Sequence, residues 1–599
     1  MLNILKKIII FFSILLFSNL AYGQQFQDQE NQNLIRQQDW LTRQQQNKID
    51  YDKQKQDQEI AKRKYKVSDL DWENTQYSSN KNNGDHCFTL QKITILNANS
   101  KSKFFKKNHQ DKIISQYLGK CFDKKLADEI ISKIQTWYKN KGFIGVQVFI
   151  PMQNINNHEL IIKIDEGSIS QLIINENKLS DKLQKFSAFG FIENKPLNIK
   201  DINQGLLQIN RLASNNATLK IEPATKEGQA KISIKNIKKR PVRLSLGHDN
   251  LGAEFTGVKR TNLSLGLDNL LSFNDNLNLT YTKNLNDNSD KKDLRIYSLN
   301  FSIPYTYNNF SYDFSRSEFL GTINGNSSAI RISGFSNRHS FNLERLIFAD
   351  EKLRFALFSN FTVKNSASYL NDFKIESSQR KLSIINLGFN YNHNFNNKFN
   401  LYVKPTLIKG VGVLNATSDQ NNSSSSVPRS NFEAIKLYVN LSQKINIPSF
   451  KNSVIISSEI DSQYSRHTLY GSEQFSVGGY YSVRGFRENY LIGDHGYFIR
   501  NKLVINVGDL LGSTIVNNSK LNLSQLNNLK LEPFFDYGAV RNRYNSQGGR
   551  LSATGIRAIF SSKNLNSTLT YSRGLNKSMR FNTTKKEEQI LLFEVSLGI

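Results

Sequence analysis

From about Arg240 onward the sequence stops supporting helices and repeats one simple pattern. Segments of ~10 residues alternate apolar and polar positions, with Asn, Asp, Ser and Gly between them. In Pro241–Asp249, Val242, Leu244 and Leu246 alternate with Arg243, Ser245 and Gly247. In Arg260–Asp268, Leu263, Leu265 and Leu267 alternate with Asn262, Ser264 and Gly266. The last segment sets Leu591, Phe593, Val595, Leu597 and Ile599 against Leu592, Glu594, Ser596 and Gly598. A period of two gives a strand one apolar and one polar face. Sixteen such segments begin near residues 241, 259, 276, 293, 309, 328, 352, 379, 398, 432, 453, 497, 529, 550, 565 and 589. At ~22 residues per strand and connection, residues 239–599 suit an outer-membrane barrel of sixteen antiparallel strands. A soluble all-β protein is the alternative, but no blade-like repeat is present. All three Trp, at 40, 72 and 137, precede this region, so Tyr and Phe must supply any interfacial girdle.

The N-terminus agrees with export. Residues 1–23 place Lys6 and Lys7 ahead of the apolar run Ile8–Phe17, and Ala21-Tyr22-Gly23 supplies small residues before a cleavage point. That is a secretory signal peptide, about half as long in its apolar core as the ~20 residues of a spanning helix. The net charge of +28 could suit nucleic acid, but export and the lack of any recognition motif exclude that partner.

Between signal and barrel the chain divides again. Residues 24–66 are rich in Gln, Lys and Asp, with Leu34, Ile35 and Leu41 as sparse apolar points. The apolar face is too thin for core packing, leaving a polar helix or a disordered tail. Residues 67–85 end in NKNNGD and read as a linker. Residues 86–167 then read β-α-α-β-β. Phe88–Leu96 is the first strand, Asp111–Leu118 a short helix, and Asp123 the N-cap of a longer one. Leu126, Ile130, Ile134, Trp137 and Tyr138 share a face of that helix, and Gly142 stops it. Ile144–Ile150 and Glu159–Ile164 close the unit. Residues 168–238 repeat the order with a strand at Gln171–Ile174 and helices at Ser180–Phe189 and Ile199–Leu212, where Ile202, Leu206 and Ile209 face inward. Strands at Ala217–Ile221 and Ala230–Asn236 end it. Two α+β units in the same order form a repeat of architecture.

Catalytic and cofactor chemistry is not indicated. The sequence has no G-x-S-x-G, H-E-x-x-H or G-x-x-x-x-G-K, and its eight His are scattered, with only His86 beside Cys87 hinting at a metal. A periplasmic chain also has no ATP to use. No enzyme activity, metal or cofactor is expected. Cys87 and Cys121, 34 positions apart, are expected to form a structural disulfide in an oxidising compartment, worth ~3–4 kcal/mol in the entropic model. A redox pair would want C-x-x-C spacing.

Several segments, in order, resemble one family. CFTLQKITI, WYKNKGFIGVQVFIP and ELIIKIDEG are similar to a first polypeptide-transport-associated (POTRA) domain, and PLNIKDINQGLLQINRLASNNATLKIEPATKEGQAKISI to a second. LGHDNLGAEFTGVKRTNLSLGLDN resembles the start of the barrel. GGYYSVRGFRENYLIGDHGYFIRNKL resembles a long sixth loop whose tip is Val483-Arg484-Gly485-Phe486, and Phe534-Phe535-Asp536-Tyr537-Gly538 an F-x-D-x-G wall-strand motif. The chain is identified on these residues as resembling two-partner secretion transporters, the outer-membrane partners of haemolysin- and adhesin-type exoproteins. The family pattern departs at Ile599, where a terminal Phe is usual.

The resemblance implies an outer-membrane barrel with periplasmic POTRA domains. It implies capture and export of an unfolded exoprotein, and insertion of the chain itself by the barrel assembly machinery. It also places the Val483–Phe486 tip inside the barrel, with Arg484 held by Asp536 on the strand carrying Phe534 and Gly538, and gives residues 24–66 the position of a pore plug. An assembly factor for other barrels, a general porin and, more distantly, a secreted enzyme or adhesin are the competing classes.

Overall fold

The computed structural model describes residues 43–44, 46–56, 58, 88–97, 105–154, 157–226, 228–285, 291–324, 329–396, 398–419, 424–447, 454–487, 490–510, 528–544, 548–579 and 588–599. The expected signal peptide and the 67–85 linker lie outside them. The described residues between 43 and 58 form a helix, α1.

The first α+β unit runs β1 (Phe88–Thr89), β2 (Lys92–Asn97), α2 (Lys107–Ile114), β3 (Cys121–Phe122), α3 (Lys124–Lys141), β4 (Gln147–Phe149) and β5 (Glu159–Asp165). Its three-stranded sheet has the order β2-β5-β4. The Asp123 side chain accepts from the Leu126 N–H at 2.6 Å, and Gly142 ends α3 with a φ of 95°. Both terminal signals therefore act as the sequence indicates. Ile130, Ile134 and Tyr138 from α3 pack on Leu160, Ile162 and Ile164 of β5, while Trp137 is only half-buried. Burial and the neighbouring Glu166 carboxylate push the Tyr138 phenol well above its ordinary pKa, and its O–H donates to Glu166 at 2.7 Å.

Three expectations are corrected here. Phe88–Leu96 is not one strand: β1 pairs with β3 and β2 with β5, because the chain changes partner at Leu90, whose N–H donates to Lys120 O. The short helix lies earlier, ending at Ile114, since Tyr117 leaves the helical path to become a fully buried core residue. Ile144–Ile150 shrinks to three strand residues because Gly145 has φ 79° and the Ile144 N–H donates across to Leu197 O in the second unit.

The second unit runs β6 (Ser168–Ile174), α4 (Leu179–Phe189), α5 (Ile199–Asn210), β7 (Ala217–Pro223) and β8 (Gln229–Asn236), with sheet order β6-β8-β7. Ile202 and Ile209 are buried and Leu206 packs at the edge of the same core. The two units are joined by backbone as well as sequence: Ile199 N–H donates to Gly142 O at 2.8 Å and Ile144 N–H to Leu197 O at 3.0 Å.

The remainder is a closed antiparallel barrel. Its first eight strands are β9 (Val242–Asp249), β10 (Arg260–Asp268), β11 (Asn276–Asn284), β12 (Asp293–Tyr305), β13 (Asn308–Asn324), β14 (Ala329–Ala349), β15 (Leu353–Leu370) and β16 (Phe373–Phe395). Then come β17 (Phe399–Val411), β18 (Glu433–Ile445) and β19 (Val454–Ser465). The short hairpin β20 (Phe475–Val477) and β21 (Leu491–Gly493) interrupts the wall order. The wall resumes with β22 (His495–Asn506), the short α6 (Val507–Leu510), β23 (Leu529–Arg541), β24 (Gly548–Ser561), β25 (Leu565–Met579) and β26 (Gln589–Gly598). Closure joins β26 to β9, from Glu594↔Asp249 to Gly598↔Ser245.

Sixteen wall strands result, as the alternation requires. Leu244, Leu246, Leu263, Phe341, Leu407 and Leu597 stand exposed on the outer face. Residues of opposite parity, such as Ser298, Asn300 and Ser302 on β12, line the lumen. The expected ten-residue length fails for the middle strands: β16 has 23 residues and starts at Phe373 rather than near 379. Asn371 and Asp372, both at positive φ, form a two-residue turn that keeps β15 and β16 paired up to Leu370↔Phe373.

Candidate functional site: the lumen and its inserted loop

Between β19 and β22, the described residues 466–487 and 490–494 fold back into the barrel instead of projecting from it. Within them β20 and β21 pair from Phe475↔Gly493 to Val477↔Leu491. Phe475, Val477, Val483, Phe486 and Leu491 form a buried apolar cluster with Phe498, Val540, Leu551 and Ala553 of the wall. Asp494 ties the loop base: its carboxylate accepts from Leu469 N–H at 2.9 Å and Arg543 N–H at 3.0 Å.

The tip meets the wall at Asp536. Arg484 Nε donates to Asp536 Oδ2 at 2.7 Å and Nη2 to Oδ1 at 2.6 Å, a bidentate fork. The Arg484 backbone N–H adds a third contact to Oδ2 at 3.1 Å. Arg484 is 1% exposed and Asp536 0%. The guanidinium stacks 3.5 Å from the centre of the Phe534 ring, and Ser572 Oγ donates to Arg484 O at 2.9 Å. The planar, delocalised cation is thus engaged by edge and face at once, which a lysine cannot reproduce.

Small residues make this approach feasible. A Cβ on Gly485 would lie 2.5 Å from Ala553 Cβ and 2.8 Å from Gly574 N. A Cβ on Gly574 would lie 2.7 Å from the Phe486 ring, and one on Gly538 only 2.5 Å from Val477 Cγ1 and 3.1 Å from Val483 Cγ2. Gly485 is not among the residues with positive φ, so it is needed for space rather than for an unusual turn. The structure therefore brings Val483, Arg484, Gly485, Phe486, Phe534, Asp536 and Gly538 into one contact. Of the two cysteines, Cys121 is disulfide-bonded and Cys87 lies outside the described residues.

Sequence reasoning missed the charged residues around this contact. Arg500 on β22 stands opposite Asp536 and reaches Glu459 at 3.4 Å. Arg557 on β24 donates from Nε to Glu532 at 2.8 Å, and Lys502 lies 3.6 Å from the same carboxylate. Their signal was parity. Glu532, Phe534, Asp536 and Gly538 alternate along one strand face, as do Phe498, Arg500 and Lys502.

Helix α1 lies in the lumen beside the loop. Gln44 Nε2 donates to Gly478 O at 2.9 Å and Asn47 Nδ2 to Ser476 Oγ at 3.0 Å. Toward the wall, Lys53 Nζ reaches Asn342 Oδ1 at 3.0 Å and Gln58 Nε2 the Tyr438 hydroxyl at 3.0 Å. Tyr51 packs on Tyr481 with ring centres 5.6 Å apart. These contacts are polar or aromatic and partly exposed, matching a helix with almost no aliphatic face. A cavity of about 360 Å³ remains beside it, bordered by Lys48, Asp52, Arg260, Asn300 and Arg338.

Residues 228–560, more than half of the chain, match the family described as haemolysin secretion/activation protein ShlB/FhaC/HecB. The chain belongs to this family. Residues 88–167 match a ShlB-type POTRA domain, and residues 168–223 match a POTRA domain. Among curated relatives, the outer membrane transporter CdiB of Dickeya dadantii (strain 3937) is 29% identical over 419 residues, 70% of this chain and 72% of that one. The hemolysin transporter protein HpmB of Proteus mirabilis is 26% identical over 396 residues, 65% and 68% of the two chains. The solved structure of CdiB from Escherichia coli has the same fold, with a TM-score of 0.75 and 22% identity over 94% of this chain and 98% of that one. The protein is accordingly a two-partner secretion transporter of the outer membrane. Its barrel crosses the membrane and its POTRA domains lie in the periplasm.

Proposed function

We propose that this transporter captures an unfolded exoprotein at its POTRA domains and passes it through the barrel after α1 leaves the lumen, while the Arg484–Asp536 contact holds the inserted loop. The single observation that carries this reading is the unequal attachment of the two lumenal elements. The loop is fixed by a buried bidentate ion pair and an apolar cluster. Helix α1 is held by partly exposed polar contacts such as Gln44–Gly478 and Asn47–Ser476, and its Lys53–Asp313 ion pair is long, at 3.7 Å, and partly exposed. Breaking a buried pair costs ~3–5 kcal/mol, whereas each ordinary hydrogen bond contributes ~0.5–1.5 kcal/mol net and is remade with water. The helix is therefore the element that can be displaced.

Capture has a physical basis in the sheets. The orders β2-β5-β4 and β6-β8-β7 leave two edge strands on each POTRA domain, and an extended chain can add to such an edge through backbone hydrogen bonds. POTRA domains would have no purpose in a porin, and two of them with a lumenal helix argue against a factor that only inserts other barrels. The Cys87–Cys121 disulfide completes the reading as a clamp on the first POTRA domain. Removing this chain from its host tests the function: a specific large exoprotein should vanish from the surface or medium, and an unchanged set of exported proteins would contradict it.

A further inference from the structure

Helix α4 follows the periplasmic rim of the barrel. At its start Asp181 lies 3.5 Å from Lys238, just before the chain enters the membrane wall at β9. Midway, Gln184 and Asn274 of the β10–β11 turn exchange hydrogen bonds, Asn274 Nδ2 donating to Gln184 O at 2.9 Å. At its end Thr306 N–H of the β12–β13 turn donates to Ser187 O at 2.8 Å. One face of α4, with Asp181, Gln184 and Ser187, is thereby buried against the rim and the domain core.

The other face is apolar and uncovered. Leu179 is 73% exposed, Phe186 37% and the following Phe191 75%, with Leu183 half-buried between them. The spacing 179, 183, 186 is a helical stripe. It is continuous with the lipid-facing wall. Ser298, Asn300 and Ser302 of β12 line the lumen, so Tyr305 at the end of that strand belongs to the outer face. The Tyr305 ring lies 5.4 Å from Phe186, and Phe186 lies 5.4 Å from Phe191. Exposed cations stand on the same helix face, at Lys182, and on the segment leading into the membrane wall at β9, at Lys239 and Arg240.

We propose that this face of α4, together with Phe191, is a lipid-docking surface seated in the periplasmic leaflet of the outer membrane. Leu179, Phe186 and Phe191 reach the headgroup–acyl boundary, and Lys182, Lys239 and Arg240 contact phospholipid phosphates. A helix with an apolar stripe and a basic margin, lying in the plane of the interface, has the required composition. Its docking fixes the tilt of the second POTRA domain against the membrane and so aims the sheet edges below the pore.

Phe191→Trp in the full chain tests the surface, with the protein reconstituted in phosphatidylethanolamine bilayers with and without phosphatidylglycerol. The added tryptophan emission should be blue-shifted and lose roughly half its intensity with brominated acyl chains, measured as the difference from the unsubstituted chain. Lys182→Glu with Lys239→Glu and Arg240→Glu in the same background should weaken that quenching, most of all where phosphatidylglycerol is present. Emission at the wavelength of a water-exposed indole would overturn the proposal. Blue-shifted emission that brominated lipid leaves unquenched would also overturn it, because another protein or a second copy would then cover the face. Quenching indifferent to the three charge reversals would overturn the headgroup contact.

Discussion

Gly485 of the inserted loop and Gly574 of β25 approach so closely that a Cβ on Gly485 would lie 2.8 Å from the Gly574 nitrogen. The tip is seated by the absence of side chains as much as by its ion pair. Gly485→Ala should therefore lift the tip from the wall without removing any charged group. Overpacking of this kind costs ~1–3 kcal/mol. Secretion should fall clearly but less than in a variant lacking Arg484, with barrel insertion unchanged by heat-dependent gel mobility. Full secretion from Gly485→Ala would mean that the contact relaxes without consequence.

Arg484 and Asp536 should behave as one unit. Removing either leaves the other charge buried and unpaired, a loss of ~3–5 kcal/mol. Arg484→Ala and Asp536→Ala are each expected to reduce secretion strongly while the barrel still inserts. The double variant should be little worse than either single one, because a shared contact is lost once. Additive losses in secretion assays would show that each residue acts through something else. Arg484→Lys should rescue poorly, since it keeps the charge but loses the fork and the Phe534 stacking.

The second POTRA domain carries an acid-sensitive tie. Burial alone would raise the Glu193 carboxyl, but the Leu172 N–H at 3.0 Å and Lys185 Nζ at 3.1 Å hold it below its ordinary value of about 4.5. A depressed folded-state pKa stabilises the fold above the unfolded value, and that contribution disappears as pH falls through the folded value. The attachment of α4 to β6 should loosen in that acidic window. Protection of the Leu172 amide, taken relative to its intrinsic exchange rate, should fall more in the parent than in Glu193→Gln as pH drops below about 4.5, when both are compared at matched pH. Identical pH profiles would remove Glu193 as the cause.

Much of this architecture is legible in one dimension, and the reason is local. A strand with one face in lipid must alternate, so Leu244, Leu246 and Leu597 announce the wall wherever it begins. Helix ends announce themselves through Asp123 and Gly142, because a cap is satisfied within a few residues. The tip and wall motifs were legible as matches to a family pattern. Parts that depend on distant register were not. Nothing along the chain tells Arg500 that Asp536 stands opposite it, or that Arg557 shares Glu532 with Lys502. The split at Leu90 follows from pairing with residues near 121, and the length of β16 from a turn whose strands lie beyond the membrane's thickness. The polar sequence around α1 kept a disordered tail open beside the helix, since its partners are loop and wall residues some 300 to 430 positions away.

The central claim is that the exoprotein takes the space α1 occupies. A reducible thiol cross-link between Asn47→Cys and Ser476→Cys, whose native side chains touch at 3.0 Å, measures it most directly. With the link formed in cells, secretion should stop while barrel insertion and the inserted loop stay intact, and mild reductant should restore export. The same residues unlinked should secrete at the parent rate. Undiminished secretion from fully cross-linked protein would contradict the claim and place the route elsewhere.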